Sequence, residues 1–191
     1  MTRAARTIHP SFSAIRGVAF CWKQLSRSAL LRSTIHRSTI IPNRWEEPAV
    51  KWVTRERPKT DRIACPWLIR RFIDPEAEIV YAAPDAVVET AGREGGRSFD
   101  AEGADYTHRG RKCSFEVLVD EFDLGGDPAL VRLARIVHAA DVSDDLDGER
   151  EGAGLLAIGI GGLDVEVDDQ RLLERGSFVY DALYAYCQHT K

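Results

Sequence analysis

The chain changes electrical character at Glu46. Met1 to Trp45 holds seven arginines (Arg3, Arg6, Arg16, Arg27, Arg32, Arg37, Arg44) and Lys23 without a single acid. The eight remaining in that stretch are matched by nothing nearby, so it cannot neutralise itself through internal ion pairs. Its apolar residues come only in broken patches, Ile15 to Trp22 and Ala29 to Leu31, too little burial to offset the entropy of ordering. Of the 26 basic residues, 18 are left for Glu46 to Lys191, against all 30 acids, a net charge near −12. The sequence therefore predicts a basic, disordered extension over residues 1–49 and a folded, acidic domain over 50–191. For the extension, three origins fit the composition: upstream sequence translated from a misassigned start, an organellar transit peptide, or a basic arm for nucleic acid. An export signal does not fit, because no continuous apolar core precedes a small-residue cleavage site.

The acidic body excludes several classes. No apolar run approaches the ~20 residues of a membrane span. Cys21, Cys65, Cys113 and Cys187 are scattered without a CxxC pair, which argues against a zinc ribbon or disulfide scaffold and for a reducing, cytoplasmic setting. Nucleic-acid binding through so acidic a surface is disfavoured.

Along the body, Lys51 to Thr54 and Glu78 to Ala83 read as strands, and Ser98 to Thr107 as an extended segment broken at Gly103. Helical spacing covers Arg62 to Ile73, stopped by Asp74-Pro75, with Thr60 or Asp61 as its cap. Further helices are predicted at Asp85 to Ala91, from Ser114 as N-cap to Phe122, at Pro128 to Ala140 and from Asp168 as cap to Cys187. A short, largely buried helix at Glu151 to Ile160 would end at Gly161-Gly162. The fold class is α+β, a mainly helical single domain packed around a small sheet. The amphipathic last helix offers a homodimer face.

Three clusters carry chemistry. Arg62, Arg70 and Arg71 lie on the first predicted helix, and guanidinium forks suit a tetrahedral oxyanion; the plain alternative pairs them with the domain's own carboxylates. His108, Cys113 and Glu116 follow across a turn, where Arg111, Lys112 and a helix N-terminus would favour a thiolate. His138 and Asp141 share a face at the end of the fourth predicted helix. Together His108, Cys113, Glu116, His138 and Asp141 would make a mixed site for one divalent transition metal ion, Mn, Fe or Zn. The acids from Asp141 onward do not form an EF-hand, because Leu146 and Gly152 stand where glycine and the bidentate glutamate belong.

The run Arg55-Glu56-Arg57-Pro58, followed by Asp61-Arg62-Ile63-Ala64-Cys65-Pro66-Trp67-Leu68-Ile69-Arg70-Arg71-Phe72-Ile73-Asp74-Pro75, resembles the opening signature of the chromate-resistance ChrB domain family. His108 to Glu116 is similar to its His-x-Gly-x-x-Cys-Ser-Phe-(Asp/Glu) segment, and Ala153 to Ala157 with Tyr180 to Tyr184 resembles its C-terminal helices. The resemblance spans roughly Val50 to Cys187. It implies a role in bacterial chromate resistance and stress response. Longer family members act as chromate-responsive regulators with a separate N-terminal domain, and others are linked to rhodanese-like domains. The first 45 residues here do not resemble such a regulatory domain.

The resulting expectation is a chromate-response domain that binds a metal ion or oxyanion, with chromate or a similar oxyanion as partner. The rival is a metal-dependent enzyme of thiol or sulfur chemistry, with Glu116 or His138 as acid or base. A non-catalytic interaction domain is the third reading.

Overall fold

A strand buried on both faces organises the sheet. Lys51–Arg55 forms β1, and Trp52, Val53 and Thr54 at its centre are all buried, as expected for a parallel strand covered on each side. The computed structural model describes residues 49–145 and 148–189; residues 1–48, on which the expected extension falls, lie outside that range. Glu78–Ala82 forms β2 and pairs parallel with β1 from Lys51↔Glu78 to Arg55↔Ala82. Arg97–Ser98 forms β3, parallel to β1 on its other edge, giving the order β2-β1-β3. Gly96 is required at the entry to β3, because a Cβ there would lie 2.3 Å from the Lys51 carbonyl oxygen. The long extended segment expected after Ser98 reduces to this two-residue strand and one bridge, Phe99 to Tyr106. Gly103, at φ +74°, turns the chain back between them.

Among the described residues six α-helices surround the sheet. Asp61–Leu68 is α1, continued by a π-turn over Ile69–Ile73 that ends at Asp74. Pro66 lies inside α1 and has no N–H for the carbonyl of Arg62, four residues back. The Tyr81 hydroxyl from β2 donates to that carbonyl instead, at 3.2 Å. Val87–Glu94 is α2, closed by Gly95 in the left-handed region. Ser114–Glu121 is α3, with Cys113 rather than Ser114 at the cap position. Pro128–Asp141 is α4; Asp127 caps it by accepting from the Ala129 and Leu130 N–H groups at 2.9 and 3.2 Å. Arg150–Val165 is α5, and Asp169–His189 is α6, whose first turn donates an N–H from Arg171 to Asp168 at 2.9 Å.

The sheet is covered on both sides. One core joins Trp52 and Ile79 to Trp67, Phe115, Leu133 and Leu173 of the helices; a smaller one sets Val53 against Val87 and Ala91 of α2. α5 departs from expectation. It runs through Gly161 and Gly162 to Val165, and its only buried residues are Gly152 and Leu155. Glycine weakens a helix by about 1 kcal/mol per residue without breaking its hydrogen bonds. No helix among the described residues is long and apolar enough to cross a membrane.

Candidate functional site

The order β2-β1-β3 sends the chain to opposite sides of β1. A crevice therefore opens beyond the carboxyl ends of β1 and β3, the place where parallel sheets commonly hold ligands. Arg55 ends β1, Asp61 opens α1 just after it, and Asp100 follows β3 by two residues. Asp100 has a φ of 48°, a conformation that aspartate tolerates better than most residues. Arg55 fixes it there: its Nε donates to the Asp100 carbonyl at 2.7 Å and its guanidinium meets Asp100 Oδ2 at 2.9 Å.

Asp61 does not cap its own helix. Its Oδ2 accepts from the N–H groups of Ser114 and Phe115, at 2.7 and 3.3 Å, and so closes the N-terminus of α3. Its Oδ1 is buried without a hydrogen-bond partner. The Ser114 hydroxyl donates to Asp100 Oδ1 at 2.9 Å. His108 is half exposed at the crevice mouth, with Nε2 3.2 Å from Asp141 Oδ2, 3.6 Å from Asp100 Oδ1 and 3.7 Å from Asp61 Oδ2. Ligand atoms of Asp61, Asp100 and His108 all lie within 4.8 Å of one another.

Three carboxylates this close, two of them on buried residues, oppose one another's ionisation. Burial, then the charges of Asp141 and Asp100, push Asp61 well above the usual carboxylate range, against the pull of the Ser114 and Phe115 N–H groups. Burial and then Asp100 raise Asp141, partly offset by His108 and Lys59. A cation at the centre would remove that conflict.

The five residues expected to share one metal site fall into two groups. His108 and Asp141 join Asp61 and Asp100. Cys113, Glu116 and His138 form a second set whose ligand atoms also lie within 4.8 Å of one another. Here Glu116 Oε2 accepts the Cys113 N–H at 3.0 Å and meets His138 Nδ1 at 2.6 Å, while His138 Nε2 faces Asp145 Oδ2 at 3.0 Å. The expected thiolate is not favoured. Cys113 is buried, and burial followed by the Asp61 charge pushes its thiol upward. Arg111 and Lys112 turn away from it to Asp145 and Asp120.

The three arginines proposed for an anion do not converge. The Arg62 Nε is 3.5 Å from Asp100 Oδ2, so this residue belongs to the crevice. Burial and then Arg55 lower its affinity for a proton. Arg71 pairs with Asp181 at 2.8 Å and lies over the rings of Trp67, Phe72 and Tyr184. Arg70 donates to the Ala77 carbonyl at 3.2 Å. Sequence reasoning passed over Asp61 and Asp100 as site residues. Asp61 read as a helix cap and Asp100 as part of an extended segment; only the parallel order of three strands separated in sequence brings them together.

The crevice gathers candidate cation ligands in a mostly helical domain with a small parallel sheet. The sequence matches the family described as ChrB, C-terminal domain, over residues 52–187. It is 38% identical over 141 residues to Protein ChrB of Cupriavidus metallidurans strain CH34, covering 71% of this chain and 40% of that protein. This chain therefore belongs to the ChrB C-terminal domain family, as its opening motif anticipated, and spans well under half the length of that relative. No solved structure matches it.

Proposed function

We propose that this chain serves chromate resistance as a metal-binding domain, with Asp61, Asp100, His108 and Asp141 as the ligands of one divalent cation. The carrying observation is Asp61 Oδ1, buried and unpartnered beside two further carboxylates. An unsatisfied buried carboxylate oxygen is costly, and a cation satisfies it directly. Three oxygens and one imidazole nitrogen form a hard donor set, which favours Mn2+ or Fe2+ over thiolate-preferring ions. A bound divalent cation would supply positive charge and open coordination positions, and an oxyanion such as chromate could take these. This unites the metal and oxyanion readings in one site. Arg55 and Arg62 hold Asp100 in place, and exposed His108 leaves the crevice open to solvent.

Titrating the metal-free chain with Mn2+ and Fe2+ by calorimetry tests the reading. One ion should bind, with at least tenfold loss in Asp61→Asn and Asp141→Asn and little change in Cys113→Ala or His138→Gln. Absence of binding would sink the proposal. So would binding lost with His138→Gln but kept in Asp61→Asn, which would move the ion to the second group. Chromate tolerance of cells carrying the same variants then tests the biological role.

A further inference from the structure

α5 carries two kinds of glycine. On its inner side each has a neighbour that accounts for it: an added Cβ would come 2.7 Å from Ala139 Cβ at Gly152, 3.2 Å from Lys59 Cγ at Gly159 and 3.2 Å from Leu172 Cδ1 at Gly162. Gly154 and Gly161 differ, because among the described residues nothing lies within 4 Å of a Cβ built on either. Glycine weakens a helix interior, and packing within the domain does not call for it at these two positions. At 100° per residue they share one face with Ala153, Ala157 and Ile160, opposite the buried Gly152 and Leu155. Ala153, Gly154 and Ala157 are exposed, and Ile160 is 51% exposed. α5 has no charged residue from Gly152 to Leu163, so two acidic bodies can meet there without bringing like charges together.

The face ends in opposite charges. Arg150 opens α5, Asp164 is its second-last residue, and both are exposed. The charge of Arg150 acts on its neighbour Glu151, which Arg132 already meets at 3.3 Å. Each end is of the wrong sign for its own helix, since a cation at the N-terminus and an anion at the C-terminus oppose the macrodipole. Beside an antiparallel helix both are of the right sign. Arg150, Ala157 and Asp164 follow at seven-residue intervals and so lie in line along the face. An antiparallel copy of α5 centred on Ala157 sets Arg150 against Asp164 of the partner subunit, and Ile160 against the open space over Gly154 of the partner subunit.

We propose that α5 pairs with α5 of a second copy, antiparallel, about a twofold axis at Ala157. The pairing uses none of the proposed cation ligands, so the two readings stand or fall separately. One helix from each copy buries less than the roughly 1,600 Å² of a standard interface, so the dimer should dissociate at about 10–100 μM.

Sedimentation velocity of the full chain from about 1 μM to about 1 mM tests the pairing. Wild type should pass from monomer to dimer. Ala157→Glu sets two like charges against each other at the axis and should weaken dimerisation at least about tenfold. Arg150→Asp and Asp164→Arg should each weaken it about fivefold. The double swap Arg150→Asp/Asp164→Arg should recover most of that loss, because opposite charges face each other again. Thermal melts of the dilute variants, all substituted at exposed positions, check that each is folded. A wild type still monomeric at about 1 mM would overturn the proposal. So would a dimer that Ala157→Glu leaves intact, which would place the contact on another face, or a double swap as weak as the single variants.

Discussion

Asp61 carries two contradictory environments on one side chain. Oδ2 receives two backbone N–H groups from α3, while Oδ1 is buried with no partner. Both follow from its place at the first turn of α1, pressed against the start of α3. The amide in Asp61→Asn keeps an oxygen for Ser114 and Phe115 and removes the repulsion with Asp100 and Asp141. In the presence of a chelator this variant should therefore melt a few degrees higher, a gain of about 1 kcal/mol. Asp61→Ala gives the opposite sign, because the α3 N-terminus loses its cap at a cost of about 1–2 kcal/mol. Thermal melts of the two variants beside wild type separate charge from capping. Equal melting of Asp61→Asn and Asp61→Ala would show that neither contribution is as described.

At the scale of elements, α4 is fastened on two sides. His138 ties it to α3 through Glu116 and to the following turn through Asp145, which Arg111 also holds. Burial opposes charge on the imidazole, but the hydrogen bonds to Asp145 and Glu116 outweigh it and hold His138 above its ordinary 6.5. The stability from this raised group is complete below about pH 6 and lost as pH rises through the folded value. Melting temperature should accordingly fall as pH rises above the ordinary imidazole range of about 6.5, and His138→Gln should flatten that part of the profile. On the other side, α5 approaches α4 through Gly152, where an added Cβ would sit 2.7 Å from Ala139 Cβ and 3.2 Å from the Ala139 carbonyl carbon. Backbone cannot yield as a flexible side chain can, so Gly152→Ala should destabilise the domain by about 1–3 kcal/mol, read from urea unfolding. The same element shows where sequence patterning misleads. The stretch Glu151 to Ile160 reads as largely buried, yet only Gly152 and Leu155 of α5 are buried, Leu156 and Leu163 pack partly against the core, and Ile158 and Ile160 are exposed.

For the whole molecule, the proposed cation would bridge separate parts of the chain: the start of α1, the segments after β3 and before α3, and the end of α4. Binding to the folded state alone stabilises it by about 2.7 kcal/mol at 100 times Kd. Mn2+ should thus raise the melting temperature of wild type, EDTA should reverse the rise, and Asp141→Asn should abolish it. A cation that left the melting temperature unchanged at saturating concentration would be bound elsewhere, to a surface that survives unfolding.

Much of the local structure could be read before the fold was known. Asp127-Pro128 and Asp168 cap their helices as predicted, Asp74-Pro75 ends the first helical stretch, and β1 and β2 begin at the predicted residues, because capping and proline geometry act within a few positions along the chain. The family signature was equally readable, since it is a matter of residue identity. Membership of one ion site was not. His108 and Glu116 are close in sequence yet fall in different groups, while Asp61, Asp100 and Asp141 meet from far apart. That outcome depends on β3 adding beside β1 and on α3 turning its N-terminus toward Asp61, long-range contacts whose direction no local spacing records. The sequence by itself determined where most helices lie, the caps at Asp127 and Asp168, and the family. Only tertiary structure decided which carboxylates must share one buried space, because burial and mutual repulsion exist only once the chain has closed around them.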